Sequence, residues 1–255
     1  MSTIETTALT KRYGSTIAVD QLALSVSNGT VYGFLGPNGA GKTTTMRMLT
    51  GLTTPTSGSA SVAGVPVTDR DSLRPHIGYL PEEPPLYEQA TAYEQLEYVA
   101  GLRDLPERRT QDRIDELLAR LDLSPDDAAT RIADYSKGMR QKVAYVQAVL
   151  HEPEVAFLDE PTSGLDPRAA RTIRELIAEL TDEGTTVFLS THILPVVEAV
   201  ADTVGILYDG QLVAEDSPTQ LTRRAETGDT RTLEEAFLEI TSSDPTADDA
   251  EPKHG

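Results

Sequence analysis

The stretch "VYGFLGPNGAGKT", Val31 to Thr43, constrains the fold more than any other part of the chain. Val31 to Leu35 is a mostly apolar run that reads as a strand, and a helix is expected through "KTTTMRMLTG" to Gly51. Between them, Gly36 to Thr43 fits G-x-x-x-x-G-K-[ST], with Asn38, Gly39, Ala40 and Gly41 inside it and Thr44 just after. Glycines in such a loop let backbone N–H groups turn inward around phosphate oxygens, and the helix that follows points its positive end at them. Lys42 is expected to reach the β- and γ-phosphates of a nucleotide, and Thr43 to hold Mg²⁺.

A phosphate loop of this kind needs an acidic group near the metal, and "VAFLDEPTSGLD" supplies one. Four apolar residues place Asp159 at the carboxyl end of a buried strand, where ligands bind in open α/β sheets. Asp159 is expected to orient the Mg²⁺ shell. Glu160 should face the γ-phosphate, where it can polarise a water.

The other segments alternate in type. Residues 1–35 read as short strands, "TTPTSG" as a loop and "SASVAGVPV" as a strand and turn. Residues 88–122 are expected to be helical, with Ile114, Leu117, Leu118 and Leu121 at helical spacing, and a second helix should run from Ser136 to Leu150. "PRAARTIRELIAELTDEG" reads as a helix stopped by Gly184, "TTVFLS" as a strand, and "VGILYDGQLVAED" as a hairpin turned by Asp209 and Gly210. The acidic tail 242–255 is expected to be disordered. Strands alternating with helices imply an α/β fold with a parallel core sheet, and the helical stretch at about 85–150 reads as an inserted subdomain.

Composition narrows the function. The chain has 22 Lys plus Arg against 41 Asp plus Glu, a net charge of −19. That excludes broad nucleic-acid binding, which needs a basic footprint, and disfavours docking on anionic lipid. Such a surface suits a salt-rich cytoplasm, as in a halophilic host. With no cysteine there is no thiol chemistry or disulfide. The N-terminus has no apolar core of the signal-peptide kind, and no apolar run is long enough to span a bilayer. A soluble cytoplasmic chain is expected, one that can sit against a membrane protein. Against this acidic background "DYSKGMRQK", Asp134 to Lys142, carries three cations and two of the chain's five lysines. It reads either as a solvated helix start or as an anion site.

In their order these motifs resemble the nucleotide-binding subunit of an ABC transporter, over about residues 4–241, which implies a single ATPase domain at 1–241. The resemblance implies a P-loop NTPase core with a mixed sheet, an N-terminal antiparallel β-subdomain and the inserted helical subdomain. Tyr13 in "KRYG" matches the aromatic that stacks on adenine. "GPNGAGKTT" matches Walker A, "VAFLDE" Walker B, and "SGLD", ending at Asp166, the D-loop. His192 matches the switch histidine that senses the γ-phosphate. "YSKGM" stands in the place of the LSGGQ signature, so Ser136, Lys137 and Gly138 would bind the ATP held by a second copy in a head-to-tail dimer. "YSKGMRQ" and "TRTLEEAFLEIT" are similar to the drug-resistance branch, whose integral membrane permeases are of the ABC-2 type and mostly export. The implied place is the inner face of the cell membrane, held there by the permease.

Two departures stand out. Three of the five signature positions differ from LSGGQ, Lys137 among them. Glu82 occupies the place of a glutamine that contacts Mg²⁺ and the attacking water, and it is expected to serve as a metal ligand. Two other readings share the phosphate loop. A soluble ABC ATPase without a permease, of the iron–sulfur assembly type, has the right size. A P-loop kinase or GTPase would need neither signature nor D-loop, and no guanine-reading "NKxD" is present.

Overall fold

The computed structural model describes residues 1–224 and 233–242. The chain opens with β1 (Ser2–Tyr13), β2 (Thr16–Leu22), β3 (Ser25–Ser27) and β4 (Val31–Leu35). The first is not a short strand, as the sequence reading expected, but a 12-residue one. Ala8 adopts a left-handed φ of 45°, and the register with its neighbours shifts around it. Such a bulge bends a strand and looks like a break in the alternation. It lets β1 pair with β3 through its first half and with β2 through its second.

After β4 come α1 (Lys42–Leu49), β5 (Ser57–Val62), β6 (Val65–Pro66), α2 (Arg70–Leu73) and β7 (Ile77–Leu80). Strands β2, β1, β5 and β6 lie in that order, with β3 also on β1, as an antiparallel sheet. The next segment holds α3 (Ala92–Gly101), α4 (Glu107–Arg120), α5 (Pro125–Ala128) and α6 (Lys137–Val149). The expected helical stretch 88–122 is therefore two helices. Thr91 and Glu94 form a reciprocal cap that starts α3 only at residue 92. The turn before α4 carries Asp104 at φ 53° and Pro106, whose ring prevents the first helix from continuing.

The chain then forms β8 (Val155–Asp159), α7 (Pro167–Asp182), β9 (Thr186–Thr191), α8 (Leu194–Val200), β10 (Thr203–Tyr208), β11 (Gln211–Asp216), α9 (Pro218–Arg224) and α10 (Leu233–Ser242). Ser242, expected to begin the tail, ends α10; the remainder of that tail lies outside the described residues. Helix α10 is anchored by Leu233 and Ala236, both buried.

The main sheet has the order β11-β10-β4-β9-β8-β7. All pairs are parallel except the β10–β11 hairpin, whose turn residues Asp209 and Gly210 have φ 45° and 78°. Every residue of β4, β8 and β9 is buried, which explains their unbroken apolar runs: both faces of the sheet are covered. On one face Tyr32 stacks on Phe188 at 5.3 Å, beside Phe34 and Phe157, under the antiparallel sheet. On the other, Leu158, Leu189 and Ile173 share one apolar cluster with Leu96, Ile114 and Val146 of the helical segment. Helix α6 is the joint. A Cβ on Gly78 of β7 would lie 2.0 Å from the Ala148 carbonyl oxygen, so the strand and helix meet only because that position is glycine. Gly78→Ala is expected to destabilise the fold by about 2–3 kcal/mol in urea titration. A loss below about 0.5 kcal/mol would mean that α6 is free to shift off the sheet.

Candidate active site

The carboxyl ends of β4, β7, β8 and β9 open on one edge of the main sheet, and their loops line a cleft of about 350 Å³. The loop after β4 is held in shape by contacts that a side chain would block. A Cβ on Gly36 would meet the Leu207 carbonyl oxygen at 2.4 Å, and one on Gly41, at φ 107°, the Ala18 oxygen at 2.3 Å. The hairpin tip supports the loop from outside, where Gly210 N–H donates to the Ala40 oxygen at 3.0 Å. Asn38, Gly39, Gly41, Lys42, Thr43 and Thr44 line the cleft. No side chain caps the start of α1, so its first N–H groups face outward for an anion. Lys42 is buried, and its Nζ donates to the oxygens of Gly36 at 2.7 Å and Pro37 at 3.1 Å.

The opposite wall is acidic. Thr43 Oγ1 donates to Asp159 Oδ2 at 3.0 Å. Glu82, from the loop after β7, Asp159 and Glu160 all line the cleft. Burial pushes the Asp159 carboxyl above its ordinary range; the hydroxyls of Ser190 and Thr43 pull it down, and the charges of Glu160 and Glu82 push it up again. Burial likewise lowers Lys42, while Glu160, Asp159 and Glu82 hold it charged. Three carboxylates face one lysine here, and a polyphosphate would add more negative charge. A divalent cation reconciles the two. The adjacent Thr43 hydroxyl and Asp159 carboxylate are the hard oxygen donors that Mg²⁺ takes. Among the described residues no group of three or more His, Asp or Glu side chains is placed to hold a metal ion by itself.

Glu160 has a left-handed φ of 50° and is 5% exposed. Its Oε2 accepts from Thr191 Oγ1 at 2.9 Å, and its Oε1 accepts from the His192 N–H at 2.9 Å and lies 2.7 Å from His192 Nδ1. A carboxylate has about four acceptor positions, so room remains for a water. The His192 ring is half exposed and borders the cleft.

The remaining predicted residues lie apart from this cleft. Ser136 caps α6, its Oγ accepting from Met139 N–H at 3.2 Å. Lys137 Nζ donates to Ser163 Oγ at 3.1 Å, its stem lying over Gly164. Gly138 faces the Gly164 carbonyl. Arg140 pairs with Glu88 at 3.2 Å, and Lys142 donates to the Asp122 oxygen at 3.4 Å, so these two cations tie α6 to the segments before α3 and after α4. Asp166 caps α7, and the N–H groups of Ala169 and Arg168 hold its carboxyl below the usual range. Tyr13 is exposed at the end of β1, with Lys11 Nζ 5.1 Å from its ring centre.

The sequence model of the ABC transporter family matches residues 19–163. The chain belongs to the ABC transporter family. Its fold is that of an ABC-type ATPase domain. A solved ATP-binding subunit of an ABC transporter superposes with a TM-score of 0.87 at 33% identity, over 94% of this chain and 100% of that one. The dimeric bacterial ABC transporter cassette MJ0796 gives 0.78 at 26% identity, over 84% and 98%. An ABC transporter ATP-binding protein of Nostoc is 43% identical over 80% of this chain and 61% of its own length. The bacitracin transport protein BcrA of Enterococcus faecalis is 38% identical over 87% and 71%, and the daunorubicin resistance protein DrrA3 of Streptomyces coeruleorubidus 41% over 87% and 69%. The chain thus spans roughly two thirds of these relatives' lengths.

Within this ABC domain the sequence reading missed Thr191, which holds Glu160, and Ala18, which lines the cleft. Neither position carries a local signal; strand register brings both in. The raised Asp159 carboxyl also has a stability consequence. A carboxyl whose folded pKa lies above its unfolded one binds its proton more tightly in the fold, so stability is lost as pH rises through that interval. Asp159→Asn is therefore expected to raise the Tm of the nucleotide-free protein at neutral pH, with the gain fading as pH falls toward the ordinary value of 3.8. A Tm at or below wild type at pH 7 would show that the carboxylate's contacts outweigh its burial.

Proposed function

We propose that this chain is the ATP-hydrolysing subunit of an export-type ABC transporter, working as a head-to-tail dimer beneath an ABC-2 type permease. The observation that carries the hydrolytic reading is the Glu160 carboxylate, buried beside Lys42 and held by Thr191 and His192 at the cleft wall. In this reading Lys42 and the first N–H groups of α1 bind the phosphates. Thr43, Asp159 and Glu82 hold Mg²⁺, which supplies charge neutralisation when bound. Glu160 takes a proton from the water that attacks the γ-phosphorus, ADP leaves, and His192 orients the carboxylate. Tyr13 stacks on adenine. Ser136, Lys137 and Gly138 of the second copy bind the γ-phosphate from the far side, and Asp166 meets the partner across the dimer.

The dimeric solved cassette supports association of two copies, and the printed roles of BcrA and DrrA3 in bacitracin transport and daunorubicin resistance support an exporter. Among the described residues no helix is long and apolar enough to cross a membrane; in this reading the permease supplies the membrane-spanning part. The net charge of −19 supports a salt-rich cytoplasm, at the membrane's inner face, as the working medium.

Glu160→Gln is expected to bind ATP, accumulate as a dimer in light scattering and lose about 10²–10⁴-fold in kcat; brisk turnover would remove Glu160 from the role. Glu82→Gln should shift the Mg²⁺ concentration for half-maximal ATPase and strengthen metal-free ATP binding, and an unchanged midpoint would take Glu82 out of the metal shell. Pull-down of the tagged chain from detergent-solubilised membranes at molar salt should bring a polytopic membrane protein in near-equal amount. A purely cytosolic partner set would favour a permease-free ATPase and leave the ATP site intact.

A further inference from the structure

Glu160 stands in a backbone conformation that a residue with a Cβ adopts only when its surroundings impose it. Its N–H donates to the Ser190 oxygen at 2.8 Å. Its carbonyl oxygen accepts twice: from Ser163 N–H at 3.0 Å and from Gln141 Nε2 at 3.2 Å. Gln141 is 2% exposed on α6, among Val143, Ala144 and Tyr145 on a helix that is otherwise apolar where it is buried. An amide in such a place needs a partner, and the Glu160 carbonyl is the one it meets. Ser163, the other donor to that carbonyl, is itself bonded to Lys137 at the start of the same helix. Helix α6 thus reaches one peptide oxygen by two routes.

We propose that Gln141 is a positioning residue for hydrolysis, whose amide fixes the Glu160 peptide and thereby aims the carboxylate. This rests on the reading of Glu160 as the base. Gln141 lies five residues from Ser136, about 7.5 Å along the helix at 1.5 Å per residue. The helix end assigned to the partner's ATP and the amide that holds this copy's base are therefore parts of one rigid rod. A shift of α6 on closing over one ATP changes the support of the base at the other.

The test compares Gln141→Met, which keeps length and loses the donor, in the wild-type and Glu160→Gln backgrounds. The expected result is a kcat at least about tenfold lower with KM for ATP unchanged, and no further loss when Met is added to Glu160→Gln, because the two residues act as one unit. A wild-type kcat in Gln141→Met with Glu160→Gln inactive overturns this proposal alone. An equal loss in both backgrounds also overturns it, placing Gln141 on another path. Glu160→Gln turning over at the wild-type rate overturns the base reading and this proposal together. If Gln141→Met does not fold, Gln141→Glu replaces it. That side chain donates only when protonated, and burial raises its pKa. Its kcat relative to wild type should then rise from about pH 8 to about pH 6, and a flat ratio overturns the proposal.

Discussion

The hydrogen bond from Thr43 Oγ1 to Asp159 Oδ2, 3.0 Å long, is the contact on which the site depends. It joins the first turn of α1 to the end of β8, across 116 residues of sequence. Those two ends meet because β4 and β8 flank β9 in parallel, in a register that brings Leu35 opposite Thr191 and Asp159 opposite Ser190. A one-residue slip of β8 would turn Asp159 to the other face of the sheet and break the pair. The wholly buried strands hold that register, since each side chain has a fixed place in one of two apolar layers. The packing of Phe34, Phe157 and Phe188 is in this sense part of the active site.

The same geometry imposes a cost. Asp159 and Glu160 are nearly buried, Glu82 adds its charge, and Lys42 is desolvated beside them. Burial works against both signs of charge here, and the carboxylates also repel one another. A chain selected for stability alone would not keep this cluster. Binding a polyphosphate together with a divalent cation would offset that repulsion, so ligand affinity and fold stability are opposed at the same side chains.

Much of this was legible in the sequence where signals are local. The runs "VYGFL", "VAFLD" and "TTVFLS" are buried throughout, and the glycine loop and Asp209–Gly210 turn follow from backbone demands alone. What was not legible depends on distant neighbours. The bulge at Ala8 hides a single long strand, because nothing in "TALT" announces a left-handed residue. Ser242 reads as the start of an acidic tail, yet it ends a helix whose Leu233 and Ala236 are buried. Thr191, Ala18 and Gln141 look like ordinary strand or helix residues until the sheet order sets them against Glu160 and the phosphate loop.

The cations of this acidic chain are divided by chemistry. Every ion pair between described residues uses arginine or histidine: Arg109 and Arg113 meet Glu152, Arg120 meets Glu179, Arg140 meets Glu88, Arg168 meets Asp122 and Arg171 meets Glu175. The planar guanidinium suits carboxylate partners and keeps its charge. The four described lysines lie elsewhere. Lys42 is in the phosphate loop, Lys11 over Tyr13, and Lys137 and Lys142 on α6 beside Ser163 and Asp122. All four bond to neutral oxygens rather than to carboxylates. An ammonium held by neutral groups gives up little when an anion arrives, whereas a paired guanidinium must first break its ion pair. In the reading proposed above, Lys137, on the Ser163 hydroxyl at the start of α6, can exchange that contact for a phosphate oxygen, while Arg140, less than one helical turn further on, stays with Glu88.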